Sequence, residues 1–191
     1  MLMTKSSLRN TLLIAMPTMS DPYFSGSVIY LCGHDEAGAM GLIINQPLDV
    51  PLFDLFRQTG IACNASTLHF DNILFGGPVD IERGFVLHTH EGVLEDSSSI
   101  LVSPDIALTS SHEILIAIGN NSGPATYLVA LGYAGWGPGQ LEKELVSNVW
   151  LNSPADKSIL FSTPFDQRFA QACARIGVVD PALLSHETGH A

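Results

Sequence analysis

Residues 28–44 read VIYLCGHDEAGAMGLII: two almost unbroken apolar runs, 28–32 and 39–44, on either side of Gly33, His34, Asp35, Glu36, Ala37 and Gly38. Short apolar runs bounded by turn formers mark strands buried on both faces. The connection between them predicts a hairpin. Working outward, the run at 12–16 predicts a preceding strand, and 73–75, 84–90, 100–103 and 126–133 predict further ones, the last rich in β-branched and aromatic residues.

Four helical segments interrupt these strands. Leu141, Leu145 and Val149 recur every four residues after Pro138, with Glu142 and Glu144 on the outer faces. Phe165, Phe169, Cys173 and Ile176 form a second stripe, opened by Thr163 and Pro164 as N-cap and first helical residue and closed by Gly177. Ser110 and Glu113 stand in capping-box spacing before Ile114, Leu115 and Ile118. A shorter helix spans about 51–59, with Leu52, Leu55 and Phe56 inward. Strands outnumber helices and the two do not alternate regularly. The fold class is therefore α+β: one compact domain, 1–191, with a mixed, largely antiparallel, barrel-like sheet and about four flanking helices. Residues 1–10 are expected to be loosely ordered and 185–191 to form a terminal tail.

Composition narrows the function. Of 191 residues, 46% are apolar and only 14% charged, against roughly 25% charged in an ordinary soluble domain. So little charge leaves room for a surface covered by another copy, and homo-oligomerisation is one expectation. Eight Lys and Arg against nineteen Asp and Glu give a net charge of −11, and no stretch gathers three basic residues. Nucleic-acid affinity comes mainly from basic groups releasing counterions, so direct nucleic-acid binding is disfavoured, and attachment to anionic membrane with it. The 12–16 run is too short for a signal peptide, and no segment approaches the 18 or so apolar residues of a membrane span. Cys32, Cys63 and Cys173 are odd in number, far apart and form no CxxC pair, which predicts reduced thiols in a cytoplasmic protein.

Several strings imitate catalytic motifs. His186, Glu187, Thr188, Gly189 and His190 match HExxH, but the string ends one residue before the C-terminus, contains a Gly, and has nothing after it to supply a third ligand. His88 and His90 share one face of a predicted strand, with Glu91 at its end; a hydrogen-bonded or exposed pair accounts for them without a metal. Gly119, Asn120, Asn121, Ser122 and Gly123 misplace the serine of GxSxG and read as a turn. Gly135, Trp136, Gly137, Pro138, Gly139 and Gln140 lack the Lys-Ser/Thr of a phosphate loop. No metal and no cofactor are expected.

That glycine-rich string is nonetheless informative, because it joins a buried strand ending at Tyr133 to the helix of Leu141. Tyr133 and Trp136 can wall a ligand at a helix start. Alternatively Gly135, Gly137 and Gly139 serve a tight turn and Trp136 plugs the core, packed against the strand that ends near Asn45.

The strings LLIAMPTMSDPYFSGSVIYL, GAMGLIINQPL, FGGPVDIERGFVLHT and LGYAGWGPGQLEKEL, with WL behind the last and a terminal GHA, together resemble the AlgH/YqgE family of bacterial proteins from about Leu12 to Ala191. The resemblance implies a compact α+β fold in a bacterial cytosolic protein, and a family label of transcriptional regulator that follows a genetic link to alginate production. Gly33 stands where the family commonly has Glu before the His, and Gln46 where it often has Arg or Lys after Asn45. The leading expectation is a non-catalytic regulatory or interaction protein acting through a protein partner or a small molecule. The alternative is a small-molecule hydrolase with a pocket near Asn45, Tyr133 and Trp136. The candidate ligand-binding residues are Asn45, Gly76, Gly77, Tyr133, Gly135, Trp136 and Gln140.

Overall fold

The computed structural model describes residues 7–63, 72–90 and 98–178. Strand β1 (Thr11–Ala15) carries four consecutive buried residues, Leu12 to Ala15, and β2 (Val28–Asp35) carries five. A strand buried on both faces needs a core on each side of its sheet, and the remaining elements supply those cores.

The strands are β3 (Gly38–Ile43), β4 (Pro47–Pro51), β5 (Asn72–Phe75), β6 (Val79–Thr89), β7 (Ser99–Ser103), β8 (Ile106–Thr109), β9 (Tyr127–Trp136) and β10 (Trp150–Pro154). The helices are α1 (Leu52–Thr59), α2 (His112–Gly119), α3 (Gln140–Val146) and α4 (Arg168–Arg175), with a π turn at Ser158–Ser162 and a 3-10 turn at Phe165–Gln167. The sheet runs β10-β1-β2-β3-β9-β6-β8-β7, with β4 and β5 attached beside β9. All pairings are antiparallel except β5 with β9. The sheet curls into a half-barrel, and the domain is a single compact α+β unit.

Inside the curl lie Leu12, Ile14, Tyr30, Leu42, Phe85, Leu87 and Leu108, closed over by Ile159 and Leu160 of the π turn and Ala172 and Cys173 of α4. On the outer face, α3 packs Leu141 against Leu13, Ile29, Leu31, Trp136 and Trp150. Farther along that face α1 and α2 cover Ile73, Val86 and Val129 with Phe56 and Ile118. Arg168 ties α4 to the sheet: it is 2% exposed, its Nη1 donates to the Ile44 carbonyl at 2.5 Å and its Nε to that of Thr163 at 2.9 Å. The Phe165 ring lies 4.5 Å from the guanidinium, and burial lowers the pKa of the group to about 10.

The helix over 141–149 is shorter than its apolar stripe. Asn148 takes φ 53°, its N–H bonds the Leu145 carbonyl and that of Val149 the Glu144 carbonyl. This is a Schellman stop with Asn in the left-handed position, and it frees Trp150 to open β10, a strand that the hydropathy pattern does not announce. Ser110 does not cap α2; Ser111 holds the N-cap position without a side-chain bond. Likewise Pro164 precedes the 3-10 turn, and α4 starts only at Arg168. No disulfide joins the three cysteines.

Candidate functional site

A cleft of about 720 Å³ opens where the tip of the β2–β3 hairpin, β9 and the first half of β6 meet the ends of β7 and β8. An interruption in a ladder creates it. Val79 pairs with Tyr133 and Gly84 with Leu131, so β6 advances five residues while β9 advances two. The excess bulges outward, with Asp80 at φ 49°. Gly132 lies beneath at φ 70°, where a Cβ would stand 2.3 Å from the Gly77 carbonyl oxygen and 3.2 Å from Ile81 Cα. Bulges re-aim side chains, and this one delivers Arg83 to the rim of the cleft.

Arg83 donates from Nη2 to Ser110 Oγ at 3.0 Å, and its guanidinium lies 5.2 Å from the Phe85 ring centroid. Phe85 in turn meets Tyr133 edge-on at 5.7 Å. Met40, Leu108 and Ile100 complete the apolar lining. Gly135 lies on the face of β9 beside Tyr133, and a Cβ there would stand 3.3 Å from Tyr133 Cε2. The absent side chain leaves room for the tyrosine ring and keeps the cleft open.

His34, its side chain only 5% exposed, forms part of the wall. Its Nδ1 accepts the backbone N–H of Leu8 at 2.9 Å. A ring nitrogen that accepts carries no hydrogen, so Nε2 bears it, pointing at Glu142 Oε1 at 3.5 Å. That separation is long for a hydrogen bond, and Nε2 is buried without one. Both nitrogens therefore face protein.

Of the candidate ligand-binding residues, Tyr133, Gly135 and Trp136 line the cleft. Asn45 sits beyond the far end of β3, where Oδ1 accepts from the Val28 amide at 2.8 Å and Nδ2 donates to the Gly26 carbonyl at 2.9 Å. Gly76 and Gly77 lie behind β9, where a Cβ on either would come within 2.2 Å of the backbone of Gly132 or Tyr133. Gln140 turns to its own helix: Oε1 accepts from the Gly137 amide at 3.0 Å, and Nε2 donates to Glu144 at 2.9 Å. Trp136 pairs with Ala39 at the start of β3, the opposite end from Asn45. As expected, its largely buried ring shares the outer-face core with Ala39 and Ile43 of that strand, and it also meets Trp150 edge-on. Within the glycine triplet only Gly139 needs a left-handed φ, of 70°.

Sequence reasoning missed His34, Arg83 and Ser110. The signals were slight: a histidine in a turn, one cation among eight, and a serine whose spacing suggested a cap. His88 is buried, with Nδ1 2.9 Å from the Thr89 carbonyl and Nε2 2.9 Å from Thr109 Oγ1. Ser122 sits in the turn after α2, its Oγ on the Ala117 carbonyl. The string at 186–190 lies outside the described residues. Among the described residues no group of three His, Cys, Asp or Glu side chains could hold a metal, and no helix is long and apolar enough to cross a membrane.

The chain matches the AlgH-like family over residues 12–180. It is 48% identical to a UPF0301 protein of Cupriavidus metallidurans, covering 97% of this chain and 96% of that one. A UPF0301 protein of Chromobacterium violaceum is 47% identical, over 99% of this chain and all of its own. The solution structure of the AlgH protein from Pseudomonas aeruginosa superposes with a TM-score of 0.78 at 41% identity, covering both chains completely. A crystal structure of a Corynebacterium diphtheriae protein, at 21% identity and a TM-score of 0.71 over 97% of this chain and 94% of that one, shares the fold. With a family match across most of its length and relatives of nearly half identical sequence along the whole chain, the protein belongs to the AlgH-like family.

Proposed function

We propose that this protein is a non-catalytic, cytoplasmic regulatory protein that takes a small organic molecule into the cleft at the mouth of the half-barrel and signals its occupancy to a protein partner. One observation carries the reading. The cleft has the volume of an ordinary ligand site and a lining that mixes Met40, Phe85, Ile100 and Leu108 with polar groups such as Asp35, Arg83 and Ser110, yet the histidine in its wall has Nδ1 and Nε2 both turned to protein. A histidine acting as the base for hydrolysis would need a ring nitrogen within reach of a bound substrate. One wall is the hairpin whose exposed tip, Asp35, Glu36 and Ala37, would present the occupied state to a partner. A net charge of −11 speaks for a protein partner over nucleic acid.

The test is ligand-observed NMR of the whole protein against a mixed library of neutral, anionic and cationic small molecules, repeated on Ile100→Trp. Ile100 lines the mouth and is 48% exposed, so a larger ring there fills the cleft without entering the core. Binding that the wild type shows and the variant loses is expected, with every compound recovered unchanged. Consumption of an ester or amide from the library would establish the hydrolase alternative. Binding indifferent to Ile100→Trp would remove the cleft from consideration.

A further inference from the structure

We infer that the ligand of this cleft is a small organic monocarboxylate, its carboxyl group held by Arg83 and its apolar body laid along Met40 and Ile100. The inference rests on the reading of the cleft as a ligand site and names the class of molecule that fits it.

The charge pattern points there first. Among the described residues, Arg57 pairs with Asp54, Lys157 with Asp105 and Arg175 with Asp156, Arg168 is buried against backbone carbonyls, and Arg9 and Lys143 do not line the cleft. Arg83 has different company: a serine hydroxyl and the face of a phenylalanine ring. Those neighbours fix the direction of the guanidinium without neutralising it. A guanidinium offers five N–H donors in a planar fork matched to a carboxylate, and the bond to Ser110 occupies one. An exposed cation oriented by neutral groups at the rim of the cleft is placed to receive an anion.

The lining sets the rest of the molecule. Phe85 and Leu108, almost fully buried, back the cleft, while Met40 is half-buried and the edge strand β7 leaves Ile100 half in water. An apolar body covering Ile100 removes that surface from solvent. Charge then limits the anion to one negative unit. Among the described residues Arg83 is the one arginine or lysine lining the cleft, Asp35 lines it as well, and the chain carries a net charge of −11. A phosphoryl dianion would bring two charges to one guanidinium in a negative field, whereas a carboxylate brings one in the geometry that the fork accepts.

The experiment is calorimetric titration of the full chain with 3-phenylpropionate, its uncharged amide and 3-phenylpropylamine, at low and high salt. Wild type, Arg83→Gln, Arg83→Lys and Ile100→Trp are compared, each checked for folding by thermal melting. The acid should bind at least about tenfold more tightly than the amide, and the amine should not bind. Arg83→Gln should abolish the preference for the acid, and Arg83→Lys should restore only part of it, because an ammonium lacks the fork. Added salt should weaken the acid alone. Equal binding of acid and amide, or indifference to Arg83→Gln, overturns the carboxylate inference while leaving the cleft a ligand site. Failure of all three compounds on wild type overturns the inference as well, and the response of the mixed library to Ile100→Trp still decides whether the cleft is a site. Acid binding unaffected by Ile100→Trp would place the anion elsewhere.

Discussion

Trp136 and Trp150 donate their indole N–H groups to the same oxygen, Oε2 of Glu144, at 2.9 and 2.8 Å, and their rings meet edge-on at 6.0 Å. The first tryptophan ends β9 and the second opens β10, while the carboxylate belongs to α3 between them. One side chain thus joins both ends of a strand–helix–strand unit and fixes the ring that borders the cleft. Gln140 donates to its other oxygen at 2.9 Å, so the carboxylate is held from both sides.

Replacing Glu144 by Leu leaves two largely buried indole N–H groups without an acceptor and should destabilise the protein by about 1–3 kcal/mol, since part of the site remains open to water. Glu144→Gln keeps one acceptor oxygen and should lose less. Trp136→Ala should cost about 3–5 kcal/mol, because the ring is only 7% exposed and its removal opens a cavity. Urea denaturation followed by circular dichroism ranks the three. A Trp136→Ala variant as stable as wild type would contradict the packing described here.

How much of this can be read from sequence depends on how local the cause is. The hairpin of β2 and β3, α1, α2 and the stripe of α4 follow from continuous or periodic apolar residues, and all are present. The strand β10 hides because Trp150 to Pro154 has neither continuous nor alternating hydropathy; it exists because β1 offers it an edge. The cleft hides for a related reason. Arg83 reaches the rim only through a mismatch between β6 and β9, which is a property of two strands paired, and Ser110 becomes its partner only when β8 is in register. Tyr133, Gly135 and Trp136 could be named because an aromatic–glycine alternation within one strand is local. Asn45, Gly76 and Gly77 look equally distinctive in sequence, yet they sit at a backbone clamp and at close backbone approaches away from the cleft.

All three cysteines should titrate with a thiol reagent in the denatured, unreduced protein, whereas the native protein should react quickly only at Cys63. Burial raises the thiol pKa of both Cys32 and Cys173, and Cys32 is completely enclosed. The thiolate is the reactive form, so both should be slow for two reasons at once. A denatured count of one would reveal a disulfide and contradict the three free thiols.

Acidification should weaken the fold through His88. Thr89 offers a carbonyl to Nδ1, so that nitrogen carries the hydrogen and Nε2 accepts from Thr109, whose Oγ1 lies 2.7 Å from Ser99 Oγ. Burial lowers the pKa of this histidine, the Thr89 carbonyl opposes the shift, and His90 adds to it. A base with a depressed folded-state pKa binds its proton first in the unfolded chain. Its contribution to stability is therefore complete above the ordinary value of about 6.5 and is lost as pH falls below it. Between pH 7.5 and 5.5 the wild type should lose on the order of 1 kcal/mol that a His88→Asn variant, less stable throughout, does not lose. Parallel pH profiles for the two proteins would rule His88 out as the cause.

Two glycines of β9 should respond oppositely to the same substitution. Gly132 combines a left-handed φ of 70° with a position where a Cβ would lie 2.3 Å from the Gly77 carbonyl oxygen and 3.0 Å from that of Val79. Neither backbone can retreat without disturbing the bulge that presents Arg83. Gly132→Ala should therefore destabilise the protein by roughly 2–4 kcal/mol, from left-handed strain and overpacking together. Gly135 has no such strain, and its only tight neighbour is the edge of the Tyr133 ring at 3.3 Å, which can yield a few tenths of an ångström. Gly135→Ala should change stability by less than about 1 kcal/mol, while its methyl group and the displaced ring narrow the cleft. Measured together, unfolding and ligand binding separate the two roles: Gly132→Ala should show its defect in stability, and Gly135→Ala in binding by an otherwise stable protein. A Gly135→Ala protein with unaltered affinity for every cleft ligand would mean that bound molecules do not reach Tyr133.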